Sequence, residues 1–229
     1  MSALFVDVWH GYLLLNQSEE HYYWSLLNDD EKQKAHTFAR PELQKKYVKT
    51  RGVLRKILAS YLDKEPECID IKMGEYGKPY LAEGSVNFNL SHTGNKFVVA
   101  VGNVGDMGID LEQHRNRKNL EGLVKKCFSN EESIYWHSLS EIQKTQMFFR
   151  LWVRKEAFVK AVGRGIALGL EHCVVNPESQ AYFLNIPEAY GLASDWKIVD
   201  IQLEQEDICA LVTKNLEFDY NLTAFSCHE

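Results

Sequence analysis

Residues 105–115 read GDMGIDLEQHR, and this short apolar segment carries Asp110 and Glu112 two positions apart. Because strand side chains alternate, both acids would project from one face and the intervening apolar residues from the other. Two unit charges about 7 Å apart repel each other by about 2–3 kcal/mol at an effective dielectric constant of about 20. Water would screen this repulsion on a solvated strand face, whereas a bound cation would reverse it.

The segment closes a run of three strand-like stretches at residues 85–91, 96–102 and 107–113. The links between them, HTGN and NVGD, are short and rich in turn residues, so we predict an antiparallel meander. Ser91 and His92 end the first strand of this meander, which would bring oxygen and nitrogen ligands to the same rim as the paired acids.

The rest of the chain reads as a mixture of helices and strands. Helical patterns cover about residues 42–62 and 119–163, and strand patterns return after residue 170. We therefore predict an α+β fold with two similar lobes, residues 1–103 and 104–229. A chain of 229 residues with 45% hydrophobic content can bury a core in each.

Charge is unevenly distributed along the chain. The net charge is −6, yet residues 32–56 contain nine lysines and arginines against one glutamate. A basic segment in an acidic protein favours a local anion site over a nucleic-acid-binding surface, and a solvated helix face is the alternative.

The composition also limits the cellular location of the protein and the class of protein to which it can belong. The first twenty residues contain neither a basic region nor an apolar run of membrane length, so we expect no signal peptide and no membrane span. Five scattered cysteines without a C-x-x-C motif favour reduced thiols in a cytoplasmic protein and argue against a zinc ribbon.

A second unusual element is the helical stretch LWVRKEAFVKAVGRG at residues 151–165. Lys155 falls in the same phase as the apolar Leu151 and Phe158, and an inward lysine requires a fixed anion. Glu156 and Lys160 are spaced i, i+4, which is also the spacing of an ordinary surface helix pair.

The segments GIDLE and LWVRKEAFVK, about forty residues apart, resemble the two core motifs of the 4'-phosphopantetheinyl transferase superfamily. YGKPYL, NFNLSHTG and FSNEE resemble further motifs of its larger, surfactin-type branch. The resemblance implies two similar lobes that form a pseudo-dimer, each a small antiparallel sheet packed with helices, with the active site in the cleft between them. It also implies a monomer, because one chain supplies both halves of the site.

The implied reaction moves the phosphopantetheine arm of coenzyme A (CoA) to a serine of an apo acyl or peptidyl carrier protein and releases adenosine 3',5'-bisphosphate. The family requires Mg²⁺ or Mn²⁺. Asp110, Glu112 and Glu156 match its metal-binding carboxylates, which suit hard cations.

The resemblance also implies contacts to CoA. The residues that match or are candidates for these contacts are Lys34, Lys46, Arg51, Gly77, Lys78, Pro79, Ser91, His92, Lys155 and Lys160. Lys155 and Lys160 would contact phosphates, Gly77 to Pro79 would lie beside the adenine, and His92 would lie near the 3'-phosphate. The choice of Lys34, Lys46 and Arg51 rests on the basic segment, which is less patterned.

Glu132 has two competing interpretations. With Ser129 it forms an S-x-x-E capping box, and the family pattern places a general base at this position. The neighbouring Glu131 is the alternative base. Lys118, Lys125 and Lys126 are expected to face an acidic carrier helix.

Two other functions remain open at this point. A metal-dependent phosphodiesterase or nuclease would share the acidic and basic residues but would use water as its acceptor. A non-catalytic CoA- or nucleotide-binding module would keep the basic segment without needing three carboxylates together.

Overall fold

The framework of the protein consists of two helices of 22 residues and two sheets. The computed structural model describes residues 3–14, 17–114, 119–178, 180–204 and 206–226. The helices are α1 (Gln17–Ser25), α2 (Asp29–His36), α3 (Pro41–Leu62), α4 (Leu120–Cys127), α5 (Asn130–Ser138) and α6 (Glu141–Val162). The strands are β1 (Phe5–Tyr12), β2 (Ile71–Met73), β3 (Pro79–Leu81), β4 (Asn87–Thr93), β5 (Lys96–Gly102), β6 (Met107–Gln113), β7 (Val174–Val175), β8 (Phe183–Asn185), β9 (Lys197–Ile201), β10 (Asp207–Thr213) and β11 (Asp219–Ala224).

The strands form two main sheets and two short hairpins. The first sheet has the order β11-β1-β5-β4 and the second has the order β6-β10-β9, while β2 pairs with β3 and β7 with β8. Neighbouring strands are antiparallel except β1 and β11, which run parallel. The predicted α+β class is confirmed.

The predicted meander is right for its first two strands and wrong for the third. β4 and β5 form an antiparallel hairpin, but β6 pairs with β10 of the second sheet. The link at residues 103–106 carries the chain from one sheet to the other. It does so because the apolar face of β6 packs onto the inner face of the first sheet, where Ile109 and Leu111 join Val98 and Ala100 in one core.

The two sheets face each other, and each has a long helix on its outer side. On the first sheet, Phe97 and Val99 point outward and pack with Leu54 of α3. On the second sheet, Ala210 and Val212 pack with residues of α6. The order of layers is therefore helix, sheet, sheet, helix, and the central strand β5 is buried on both faces.

One strand pair joins the two parts of the chain that were predicted as separate lobes, residues 1–103 and 104–229. β11 comes from the C-terminal part of the chain, yet it lies beside β1 in the first sheet. Cys68, Cys127, Cys173 and Cys209 are unbridged, and Cys227 lies outside the described residues. Among the helices that the structure describes, none combines the length and the apolar character needed to cross a membrane.

Candidate active site

The paired acids of β6 lie where the edges of the two sheets meet. β4 and β6 are edge strands without a shared backbone ladder, and side chains of β4 bridge the gap between them. Ser91 Oγ donates to Asp110 Oδ1 at 2.8 Å, and Thr93 Oγ1 donates to Glu112 Oε2 at 3.2 Å. The predicted meeting of the β4 end with the paired acids is therefore confirmed.

Lys160 of α6 projects into the same place. Its Nζ lies 2.6 Å from Asp110 Oδ1, and it also donates to Ser91 Oγ at 2.8 Å and to Ile109 O at 3.2 Å. The lysine side chain is 28% exposed and that of Asp110 is 8% exposed. This ion pair is thus open to solvent on one side.

Close packing of α6 on β6 makes this contact possible. A Cβ at Gly108 would collide with the carbonyl oxygen of Ala157 and the amide nitrogen of Ala161. Only glycine fits at this position, and its absent side chain lets the helix approach the strand that carries Asp110.

Glu156 lies one turn before Lys160 on α6. Burial raises the pKa of its carboxyl to about 7, with further contributions from Asp110 and Glu112, while Lys160 opposes the shift. The three predicted metal-binding carboxylates are therefore close enough to influence one another's ionisation.

Carboxylates are the donors that Mg²⁺ and Mn²⁺ prefer, so these acids fit such an ion by chemistry. They are not arranged around a common point: within the described ranges, no three His, Cys, Asp or Glu side chains form a group that could hold a metal ion. The ammonium of Lys160 already satisfies Asp110, and a metal would compete with that contact.

A cleft of about 240 Å³ opens beside Lys160. It is lined by the turn between β2 and β3, by β4 and by the C-terminal end of α6, and it brings Gly77, Lys78 and Pro79 together with Lys160. A neighbouring cavity of about 430 Å³ shares Lys78 and Pro79. The two cavities offer room for an extended ligand along this turn.

Lys78 connects the turn between β2 and β3 to α6 through hydrogen bonds. Its Nζ donates to Ala161 O at 2.7 Å, near the helix end, and to Met107 O at 3.1 Å. Burial lowers its pKa, and Asp106 partly opposes the shift.

Two family profiles match this chain. The profile of the 4'-phosphopantetheinyl transferase superfamily matches residues 106–213, and that of the 4'-phosphopantetheinyl transferase N-terminal region matches residues 16–104. The chain belongs to the 4'-phosphopantetheinyl transferase superfamily. The family resemblance drawn from the sequence motifs is confirmed.

Individual relatives agree with this membership. The chain is similar to the 4'-phosphopantetheinyl transferase HetI of Nostoc sp., with 41% identity over 145 residues, which cover 62% of this chain and 61% of HetI. It is 38% identical to AcpT of Escherichia coli K12 over 154 residues, which cover 62% of this chain and 76% of AcpT. It is 27% identical to Sfp of Bacillus subtilis 168 over 158 residues, which cover 69% of each chain. The match thus spans less than two thirds of HetI.

In this transferase-family chain, the other predicted CoA contacts are divided between two places. Partial burial lowers the pKa of His92, and the charges of Lys46 and Lys160 lower it further, so these three residues lie close together. Lys46 Nζ also donates to Gly94 O at 2.5 Å. Lys160 lines the cleft, so Lys46 and His92 lie near the cleft as well.

Lys34 and Arg51 line a separate cavity of about 350 Å³. Arg51 pairs with Glu31, with 2.5 Å between Nη2 and Oε1, and Arg55 binds the other oxygen of the same carboxylate at 2.6 Å. The structure therefore does not bring Lys34 and Arg51 to the cleft beside Lys160. The anion near the inward-facing Arg51 is a protein carboxylate.

Lys155 and Glu132 lie in the core beneath α6. Both side chains are 0% exposed, and Lys155 Nζ lies 2.6 Å from Glu132 Oε2. The lysine also donates to Leu170 O and Cys127 O, at 3.0 and 3.2 Å. Burial lowers the pKa of Lys155, and the Glu132 carboxylate opposes this shift. The predicted inward position and fixed anion of Lys155 are confirmed.

Both carboxylate oxygens of Glu132 accept hydrogen bonds from backbone amides. Oε2 accepts from the amide of Ser129, and Oε1 accepts from that of Val175 at 2.8 Å. The capping box with Ser129 is confirmed. These contacts disagree with the predicted roles of Glu132 as general base and Lys155 as a phosphate contact, because neither side chain has an exposed atom.

Sequence reasoning missed Asn89 and Thr93. Asn89 Oδ1 accepts from the amide of Ile109 at 2.9 Å, and Thr93 donates to Glu112. The available signal was the polar residue at every second position of NFNLSHT, a pattern that also describes a strand with one solvated face.

Proposed function

We propose that this protein transfers the 4'-phosphopantetheine arm of CoA to a serine of an apo acyl or peptidyl carrier protein. The serine oxygen forms a bond to the β-phosphorus of the CoA pyrophosphate. The bond from that phosphorus to the bridging oxygen breaks, and adenosine 3',5'-bisphosphate leaves with the electron pair. The serine proton passes to a base or to solvent.

The observation that carries this proposal is the position of Lys160 between Asp110 and Ser91 at the end of the cleft. A cation beside paired acids can hold a pyrophosphate and balance the charge that develops on the leaving group. Gly77 and Pro79 line the same cleft, where they are available to an adenine ring.

Asp110, Glu112 and Glu156 would hold Mg²⁺ or Mn²⁺ in this proposal. Their proximity supports it, since burial and, beyond it, the charges of Asp110 and Glu112 raise the pKa of Glu156 to about 7. The metal ion would supply charge neutralisation for the pyrophosphate.

We assign structural roles to Glu132 and Lys155 in place of catalytic ones. Their complete burial supports this assignment. Glu131 is exposed at the start of α5, which leaves it available as the alternative base.

The proposal includes two lobes with the cleft between them, formed by residues 1–103 and 104–229. The two 22-residue helices, each on the outer side of its own sheet, support this pseudo-dimer. One chain would supply both walls of the cleft, so we expect a monomer in sedimentation experiments.

The deciding experiment is intact-mass spectrometry of an apo carrier protein incubated with this protein, CoA and Mg²⁺. A mass gain of one phosphopantetheine arm, absent with EDTA and with a carrier whose serine is replaced by alanine, is expected. Breakdown of CoA without any carrier would instead support the alternative function of a metal-dependent phosphodiesterase. Tight CoA binding without transfer or breakdown would support the binding module.

Carrier docking is proposed near the C-terminal end of α4. Lys125 and Lys126 are exposed there, and Lys118 lies outside the described residues. Replacing Lys125 and Lys126 with glutamate should raise the KM for the carrier and leave that for CoA unchanged. Lys64→Glu, an exposed lysine after α3, is the matched control, and an unchanged carrier KM would argue against this surface.

A further inference from the structure

Three side chains from alternate positions of β4 form hydrogen bonds with β6. Asn89, Ser91 and Thr93 share one face of the strand and are 3%, 6% and 7% exposed. Each of them bonds to a different residue of β6, namely Ile109, Asp110 and Glu112. We call these three bonds the polar seam.

The polar seam replaces a backbone ladder. β4 and β6 are the edges of their sheets, and the amide of Ile109 on β6 is bonded by the side chain of Asn89. The backbone register of β6 is set by its seven residue pairs with β10, and the Ile109 amide, which donates to Asn89 Oδ1 at 2.9 Å, ties this strand to β4.

The hydroxyl of Thr93 is aimed at a functional acid. Its Oγ1 donates to Glu112 Oε2 at 3.2 Å. Thr213 of β10, by contrast, is also buried but donates to the backbone oxygen of Asn215. The same residue type therefore closes a turn on one strand and orients a carboxylate on the other.

We propose that Asn89 and Thr93 are positioning residues for the metal site: Asn89 holds β6 against β4, and Thr93 restrains the Glu112 carboxylate. This inference rests on the proposed function, because it assumes that Asp110, Glu112 and Glu156 hold the metal. Partners of metal-binding carboxylates fix the orientation of those ligands and contribute to metal affinity.

The test for Thr93 compares Thr93→Val, which removes the hydroxyl at nearly constant shape, with Thr93→Ser, which keeps it. Mn²⁺ is titrated by electron paramagnetic resonance, alone and with saturating CoA, and thermal unfolding is recorded for each variant. We expect Thr93→Val to weaken Mn²⁺ binding by about tenfold and Thr93→Ser to restore it. Thr213→Val serves as the matched control and should leave Mn²⁺ affinity unchanged even where it lowers the unfolding temperature.

Asn89 is tested by the exchange of one amide. In Asn89→Ala, the Ile109 amide should exchange with deuterium faster in NMR spectra, and Mn²⁺ binding should weaken. Asn87→Ala is the control on the same strand, because Asn87 donates to Val104 O in the link between the sheets. Both Ile109 exchange and Mn²⁺ affinity should remain at the wild-type value in this control.

The outcomes separate this inference from the proposed function. If wild-type protein binds Mn²⁺ but Thr93→Val binds it equally well, or Thr93→Ser is as weak as Thr93→Val, the role of Thr93 is overturned. Unchanged Ile109 exchange in Asn89→Ala overturns the role of Asn89. If wild-type protein binds no Mn²⁺ even with CoA, the metal part of the proposed function fails, and the inference fails with it.

Discussion

Two lysines of α6 stand five residues apart and form ion pairs of the same length in very different surroundings. Lys155 lies 2.6 Å from Glu132 with both side chains fully buried, and Lys160 lies 2.6 Å from Asp110 beside an open cleft. The buried pair has its remaining hydrogen bonds supplied by backbone groups. Motif position alone therefore does not separate a residue that stabilises the fold from one that is available to a ligand.

The N-terminal half repeats the arrangement of the buried pair. Glu31 and Glu132 are each the third residue of a capped short helix, and each binds a cation from the following 22-residue helix. In the first half Arg51 and Arg55 share the glutamate, whereas in the second half one lysine occupies it. This correspondence supports a structural role for Glu132.

The largest expected effect is on the buried pair. Lys155→Met leaves the Glu132 charge buried without its partner, so the free energy of unfolding should fall by about 3–5 kcal/mol. Chemical denaturation measures this loss, and adding Glu132→Gln should recover much of it. A loss below about 1 kcal/mol would contradict the structural role, since that is the range of exposed ion pairs.

The second largest effect is expected at the ion pair beside the cleft, Lys160 and Asp110. Asp110→Asn keeps the shape of the side chain and removes its charge, so the rate of carrier modification should fall by at least about 100-fold. Initial rates followed by intact mass measure this change, with circular dichroism to verify folding. Activity near the wild-type rate would show that the Asp110 charge is not needed at the cleft.

A smaller effect concerns pH. The pKa of Glu156 is raised to about 7, so the folded protein holds this proton more tightly than the unfolded chain does. In metal-free protein, the stabilisation is fully present below the ordinary pKa of a glutamate and is lost as pH rises through about 7. Mn²⁺ must displace the same proton, so its affinity should increase over that range.

Calorimetric titrations with Mn²⁺ from about pH 6 to about pH 8 measure this dependence. Glu156→Gln is the control, because its amide does not titrate. The part of the pH dependence of Mn²⁺ affinity that is lost in this variant belongs to Glu156. An identical slope in wild-type protein and in this variant would assign the proton to another group.

Much of the fold was predictable because it follows from local periodicity. The helix predicted from about residue 42 to 62 is α3, and the inward phase of Lys155 follows from the spacing of its apolar neighbours. The pairing of β6 was not predictable from a short turn-rich link, because that link joins two sheets. β11 was not predicted as a strand, because its residues are mostly exposed and show no alternation of buried and exposed positions.

The site was predictable in its residue types more than in its contacts. The resemblance implied that the acids of β6 and Lys160 serve one site, and the structure brings Lys160 to Asp110. The partners of Arg51 and Lys155 were missed because each partner lies about twenty residues away on another helix, and sequence shows only that an anion is required.

The most direct test of the account compares the two lysines in one assay. The double variant Glu132→Gln/Lys155→Met and the single variant Lys160→Met are each incubated with apo carrier, CoA and Mg²⁺ below their unfolding temperatures, and carrier modification is followed by intact mass. We expect transfer by the folded double variant close to the wild-type rate and a severe loss for Lys160→Met. A folded but inactive double variant, with Lys160→Met still active, would contradict it.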